Sequence, residues 1–299
     1  MGRNLAIVRQ QGEIGMTTTA VNHSAAELRM RMRRAAARLI ALCTLAGAAA
    51  VGSCTDINVA AGRVASLSFD SLPSPAVVAG DTLRDSLGRA APLRAVAFNG
   101  SGDIIAQPDI QYISLDTGVT IGPGNFLVSQ RRLGTVRLVA NTATVQSAVR
   151  PLLVARQPDS VVVTGKLRDT LNYLLPDNAT SNMTAALSVR VLTRDTTGGI
   201  TSTQGWIVSY QAFHAGKAVA AGDTSSVFLV GNGTQRTWID TTGTDGTAAR
   251  NVRVRPIGIT TVPDSVVVIA TVRFRGAAVR GSPVRFVILV RPKPASATR

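Results

Sequence analysis

The chain has 299 residues, with 32 Lys and Arg against 17 Asp and Glu, two His and two Cys, giving a formal net charge of +15. Two cysteines exclude a disulfide framework, and the length allows one large or two ordinary domains. From residue 54 onward there are 25 Lys and Arg, 15 Asp and no Glu.

The first element read along the chain is a leader. Arg29, Arg31, Arg33, Arg34 and Arg38 precede an apolar run from Leu39 to Val51, followed by Gly52, Ser53 and Cys54. A basic stretch, an apolar stretch and a small-residue boundary form a secretory signal. The run is shorter than the ~20 apolar residues that cross a bilayer, so it reads as a removed leader (residues 1–53) rather than a permanent anchor. Residues 1–29 lie upstream of this signal, and such basic regions are normally short. Met30 or Met32 is therefore a candidate start, with a long basic region as the alternative.

Val51-Gly52-Ser53-Cys54 resembles the bacterial lipobox. The resemblance implies that Cys54 is acylated and becomes the new N-terminus; an ordinary signal peptide is the alternative. Cleavage leaves Cys54 as a single thiol in an oxidising compartment, an oddity that acylation removes. Two acyl chains give stable anchoring. Thr55 stands where an Asp resembles an inner-membrane retention signal, which implies an outer-membrane lipoprotein facing the periplasm or the surface. Residues 54–62 read as a tether.

Beyond the tether the texture is Val, Thr, Ala, Ser and Gly, with Gly, Pro and Asn-Gly punctuation and no sustained helical period. This predicts an all-β chain of short strands. Val136, Leu138 and Ala140 alternate with Arg137 and Val139, and Trp206, Val208 and Tyr210 with Ile207, Ser209 and Gln211. Period two places each set on one face of a sheet. Two segment pairs repeat: "GDTLRDSL" (80–87) with "GKLRDTL" (165–171), and "SAVRPLLVAR" (147–156) with "SPVRFVILVR" (282–291). The repeats predict two divergent copies of one domain, residues 63–157 and 158–292, joined near Gln157-Pro158-Asp159 and followed by a tail at 293–299.

"VAFNGSGDII" (96–105) and the run from Ile113 to Val154, with "VRVLTRDTTGGI" (189–200), "TTGTDGTAARNVRV" (241–254) and "DSVVVIATV" (264–272), are similar to the bacterial immunoglobulin-like domains of invasin-like envelope proteins. The resemblance covers most of residues 63–292. It implies two tandem immunoglobulin-like β-sandwich domains in the cell envelope, acting as spacers, adhesins or accessory modules. It is informative about architecture and carries little about activity.

Among candidate sites, Trp206 and Tyr210 read as sandwich core rather than a glycan platform. Asp240 and Asp245 flank a Gly-rich turn without calcium-loop spacing and read as turn residues, so no metal is expected. His214, in "AFHAGK", reads as a surface or loop residue rather than a base. No G-x-S-x-G, H-E-x-x-H or P-loop motif is present, so neither catalysis nor a cofactor is expected. The N-x-T stretches at Asn178, Asn182 and Asn232 read as ordinary loop chemistry. Arg253 and Arg255 alternate with Val252 and Val254, and Arg273 and Arg275 with Val272 and Phe274. If the two strands are neighbours, the four arginines form one solvated basic face. The first reading of such a face is a solvated surface with no partner; the alternative is that it attracts anionic envelope polymers or another envelope protein, while nucleic acid is disfavoured because no aromatic residue is interleaved to stack bases. The predicted function is a non-catalytic binding or adhesion module held to the membrane through Cys54. The alternatives are a structural stalk or accessory subunit of an envelope assembly and, below both, a polysaccharide-active enzyme.

Overall fold

The computed structural model describes residues 63–294 apart from residues 70, 144, 232–234, 260 and 261. The leader, Cys54, Asn232 and the end of the tail lie outside the described residues. Val59–Arg299 forms one compact unit. Its first strands are β1 (Ser66–Ser68), β2 (Ala76–Val78), β3 (Val96–Phe98), β4 (Gln111–Ser114), β5 (Val119–Ile121), β6 (Leu127–Ser129), β7 (Gly134–Asn141) and β8 (Arg150–Ala155). There follow β9 (Pro158–Val163), β10 (Arg168–Tyr173), β11 (Leu187–Arg194), β12 (Ile200–Ser202), β13 (Ile207–His214), β14 (Lys217–Ala218) and β15 (Val227–Val230). The last are β16 (Ile239–Thr241), β17 (Thr247–Val254), β18 (Asp264–Thr271), β19 (Arg273–Phe274), β20 (Ala277–Ala278) and β21 (Val284–Pro292).

The architecture is all-β and resembles tandem immunoglobulin-like sandwiches. In the N-terminal half a four-stranded sheet runs β2-β8-β7-β4, with the pairs β1-β3 and β5-β6 beside it. In the C-terminal half a six-stranded sheet (β10-β21-β18-β13-β14, with β16 also on β13) faces a five-stranded sheet (β12-β11-β17-β15, with β9 on β11). Alternation explains why these segments are strands. In β11, β13, β18 and β21 every second residue along most of the strand is buried and the intervening ones are partly or fully exposed. The inward sets merge into two hydrophobic clusters. One contains Val77, Leu83, Leu127, Leu138 and Leu152; the other contains Val189, Tyr210, Val252, Phe286 and Ile288. Each fully buried side chain of this size stabilises by ~1.5–3 kcal/mol, so the clusters, not disulfides, hold the sheets. Trp206 and Tyr210 belong to the second cluster, as their alternation predicts. The Tyr210 hydroxyl donates to Ala248 O across the two sheets at 2.9 Å, and burial pushes its phenol pKa up.

The repeated last segments occupy equivalent places. β8 lies between antiparallel β7 and parallel β2, and β21 between antiparallel β18 and parallel β10. The repeated first segments do not. Leu171 in "GKLRDTL" sits on the strand parallel to β21, whereas the strand parallel to β8 is Ala76–Val78, just before "GDTLRDSL". Thr82 and Arg84 instead bridge to Val128 and Ala90.

Candidate functional site

The structure splits the four arginines singled out by the sequence. β17 belongs to the five-stranded sheet, while β18, leading into Arg273, belongs to the six-stranded sheet, so the two strands are not neighbours and one common face does not form. Arg253 is not solvated; it is 6% exposed. Its Nη2 donates to Asp177 Oδ1 at 2.6 Å and its Nη1 to Asn182 O at 3.3 Å and to Val254 O. The cause is the segment after β10, which runs along the free edge of β17 and brings Asp177 and Asn182 to the Arg253 side chain. Val254 N–H donates to Asn182 O at 2.9 Å, and Met183 bridges to Arg253. Burial raises the Asp177 pKa, but hydrogen bonds from Arg253 and Asn182 outweigh it and hold the carboxyl below its usual range.

Arg255 is partly exposed, and its guanidinium carbon lies 5.7 Å from the centroid of Phe228, which pairs with Arg253 in the β15–β17 register. Arg236 lies 5.3 Å from the same centroid. Neither guanidinium makes a close ion pair among the described residues, but Arg255 lies near enough to Asp177 to help lower its pKa. The sequence reading missed Arg236, because its placement depends on the pairing of β15 with β17 and on the return of the chain to bridge Val230.

Arg273 and Arg275 lie on the β19–β20 hairpin, which meets the N-terminal half. Arg273 Nη1 donates to Gly276 O at 3.0 Å. Arg275 adopts a left-handed φ of 50°, and its Nε donates to Asp81 Oδ2 at 3.1 Å. Asp81, 6% exposed, also accepts from Arg84 Nε at 3.0 Å, Arg84 Nη2 at 2.9 Å and Thr82 N–H at 2.8 Å. Burial alone pushes this carboxyl up, but the hydrogen bonds from Arg84, Arg275 and Thr82 bring it down to about 2. A narrow cleft beside the cluster is lined by Ser74, Asp81, Arg84, Trp206, Arg273 and Phe274. Gly88 closes the joint. A Cβ there would lie 2.5 Å from Gly276 N, and the φ of Gly88 is +78°.

The opposite end of the second sandwich carries a different cluster. β13 and β18 run from Ile207 and Thr271 at the joint to His214 and Asp264 about seven residues away, roughly 23 Å at ~3.3 Å per residue. His214 is therefore the last residue of a strand and not a free loop residue. Its Nε2 lies 2.5 Å from Asp264 Oδ2, and its Nδ1 lies 3.3 Å from Ser226 Oγ. The three residues have the side-chain chemistry of a nucleophile, a base and an orienting acid. Ser226 precedes β15 in the five-stranded sheet, while His214 and Asp264 belong to the six-stranded sheet, so the trio ties the two sheets together. A Cβ built on Gly258 would lie 2.2 Å from Ser226 Cβ, so the Gly258 turn packs closely against this serine.

Asp245 has the turn role read from the sequence, since it accepts from Thr247 N–H at 3.0 Å. Asp240 does not. It lies in β16, accepting from Ala249 N–H at 2.7 Å and pairing with Arg250 at 2.8 Å. Asn178 organises its loop by accepting from Thr180 and Ser181 N–H, and Asn182 is fully buried, bonded to Leu174 and Asp177. Among the described residues no three His, Cys, Asp or Glu group together as metal ligands, and no helix is long and apolar enough to cross a membrane.

No family model matches the chain, and no curated protein does. Solved structures do. The adhesin InvE of Yersinia pseudotuberculosis is 13% identical over 72% of this chain and 56% of its own, with a TM-score of 0.29. Domains 4 and 5 of the S-layer protein SbsC are 12% identical over 76% of this chain and 96% of theirs, with a TM-score of 0.25. Trypsin-activated α2-macroglobulin from Escherichia coli is 16% identical over 79% of this chain and 16% of its own, with a TM-score of 0.24. The chain thus spans about half of the adhesin chain it matches. The likeness is one of strand arrangement alone.

Proposed function

We propose that the chain is a lipid-anchored envelope protein, tethered through Cys54, whose paired immunoglobulin-like domains (residues 63–157 and 158–292) form a non-catalytic binding or adhesion module. The anchor is read from Val51 to Cys54, and the observation behind a module of fixed orientation is the joint at Asp81, gripped by Arg84 from its own half and by Arg275 from the other. The carboxylate is shielded from water while Arg275 remains 60% exposed, so the pair contributes to holding the two domains in one orientation. A module of fixed orientation presents its far surface in a defined way. The partner proposed for that surface is an acidic envelope polymer, met by Arg236 and Arg255 beside Phe228.

The same joint also favours a second reading, a rigid stalk. Capture from envelope extracts with the acylated protein separates the two. A binding module retains a polymer or protein and loses it when Arg236 and Arg255 become Ser, whereas a stalk retains none.

A further inference from the structure

The end of the second sandwich remote from the joint gathers exposed aliphatic side chains from three separate segments. β10 ends at Tyr173, opposite Pro292, and Leu175 follows two residues later. β18 begins at Asp264, opposite Val290, and Val262 stands two residues before it. β17 ends at Val254, opposite Val227, and Ile257 follows three residues later. The strand registers therefore place all three at one end of the sandwich. They are among the most exposed large apolar residues described: Ile257 is 91% exposed, Leu175 70% and Val262 56%.

The charges at this end are mainly positive. Lys217 pairs with His214 in β14, and Arg291 and Lys293 continue β21, with Lys293 N–H donating to Tyr173 O at 2.8 Å. Arg255 precedes Ile257 by two residues and is partly exposed, with Asp177, already bound by Arg253, the carboxylate its charge acts on. The carboxylates here are engaged. Asp177 is held by Arg253, Asp264 by His214, and Asp223 accepts from Ser225 N–H.

We propose that this end docks on an anionic lipid bilayer, with Leu175, Ile257 and Val262 entering the interface and the surrounding Arg and Lys side chains meeting the headgroups. Exposed apolar side chains beside cations are what an interfacial anchor needs, because burial of aliphatic carbon and attraction to anionic lipid act together. The chemistry favours lipid over a protein partner. Protein hot spots centre on Trp, Tyr and Arg fitted into matching pockets, whereas single aliphatic side chains on loops suit a fluid hydrocarbon layer that needs no complementary shape. This surface goes beyond the polymer-binding reading and does not depend on acylation of Cys54.

The test is co-sedimentation of the compact unit Val59–Arg299 with vesicles of phosphatidylglycerol and phosphatidylcholine, and with vesicles of phosphatidylcholine alone. Binding to the anionic vesicles at least tenfold tighter than to the zwitterionic ones is expected. The combined substitution Leu175→Ser, Ile257→Ser, Val262→Ser should weaken it at least fivefold without changing the melting profile. Ile104→Ser, at an equally exposed position in the N-terminal half, should leave it unchanged. Absence of vesicle binding overturns the proposal, as does equal binding by the triple variant or an equal loss with Ile104→Ser.

Discussion

Arg275 Nε–H donates to Asp81 Oδ2 across 3.1 Å although 194 residues separate them in the chain. This bond joins the two halves of the molecule, and it uses an arginine with a left-handed φ of 50° at the turn between β19 and β20. A non-glycine residue in that region carries strain of the order of 1 kcal/mol or more, which the surrounding contacts must offset.

Asp81→Ala is expected to destabilise the protein by about 2–4 kcal/mol, because it leaves two arginines facing a buried site without a counter-charge. Arg275→Ala, at a side chain 60% exposed, should cost only about 1 kcal/mol. Urea unfolding measures both, and small-angle scattering should show a broader range of inter-domain distances in each variant. Unchanged scattering in Asp81→Ala would mean that the ion pair does not set the orientation.

The same carboxylate predicts a pH dependence with a defined sign. Its pKa falls from 3.8 in the open chain to about 2 in the fold, so the folded state favours the ionised form. The resulting contribution, about 1–2 kcal/mol, is fully present above pH ~4 and is lost as pH falls through ~2. Asp81→Asn lacks this titration. The stability gap between wild type and Asp81→Asn, measured by denaturant unfolding, should therefore be constant from pH 7 to 5 and shrink between pH 4 and 2.

Gly88→Ala tests the closeness of the joint. The substitution meets Gly276 N at 2.5 Å and a φ of +78°, whereas Gly102→Ala meets a φ of +87° but no atom within 4 Å. The backbone term alone costs ~1–2 kcal/mol, and overpacking adds another ~1–3 kcal/mol at Gly88 only. Thermal melts of the two variants should differ accordingly; equal losses would mean the joint yields.

Part of this arrangement was legible in the sequence. The alternation through Trp206, Val208 and Tyr210 gave a buried face, and the final repeat gave two last strands in equivalent sheet positions. The arginines were only half legible. Period two puts Arg253 and Arg255 on one face, but it carries no information about what approaches that face, and the segment after β10 engages and buries Arg253. His214 and Asp264 are 50 residues apart and meet only because β13 pairs with β18. Asp81 was hidden for the same reason. Its partner comes from the other half of the chain, and its own repeat, "GDTLRDSL", reads as a strand start.

The Arg236 and Arg255 pair predicts salt-sensitive binding. Replacing both with Ser should reduce binding to an acidic polysaccharide at low salt, while wild-type binding should fall steeply between 0.05 and 0.5 M salt as charges at this exposed site are screened. Surface plasmon resonance on an immobilised acidic polymer gives both readings. Binding that ignores salt and survives the double substitution would assign the cluster to solubility alone.

Envelope anchoring is the central claim, and it rests on Val51 to Cys54. Mass spectrometry of the N-terminal peptide from protein purified out of its native membranes tests it most directly. The account predicts that the chain begins at Cys54 and carries a diacylglyceryl group on the thiol. A mature N-terminus downstream of Cys54, or a free thiol at that residue, would contradict it.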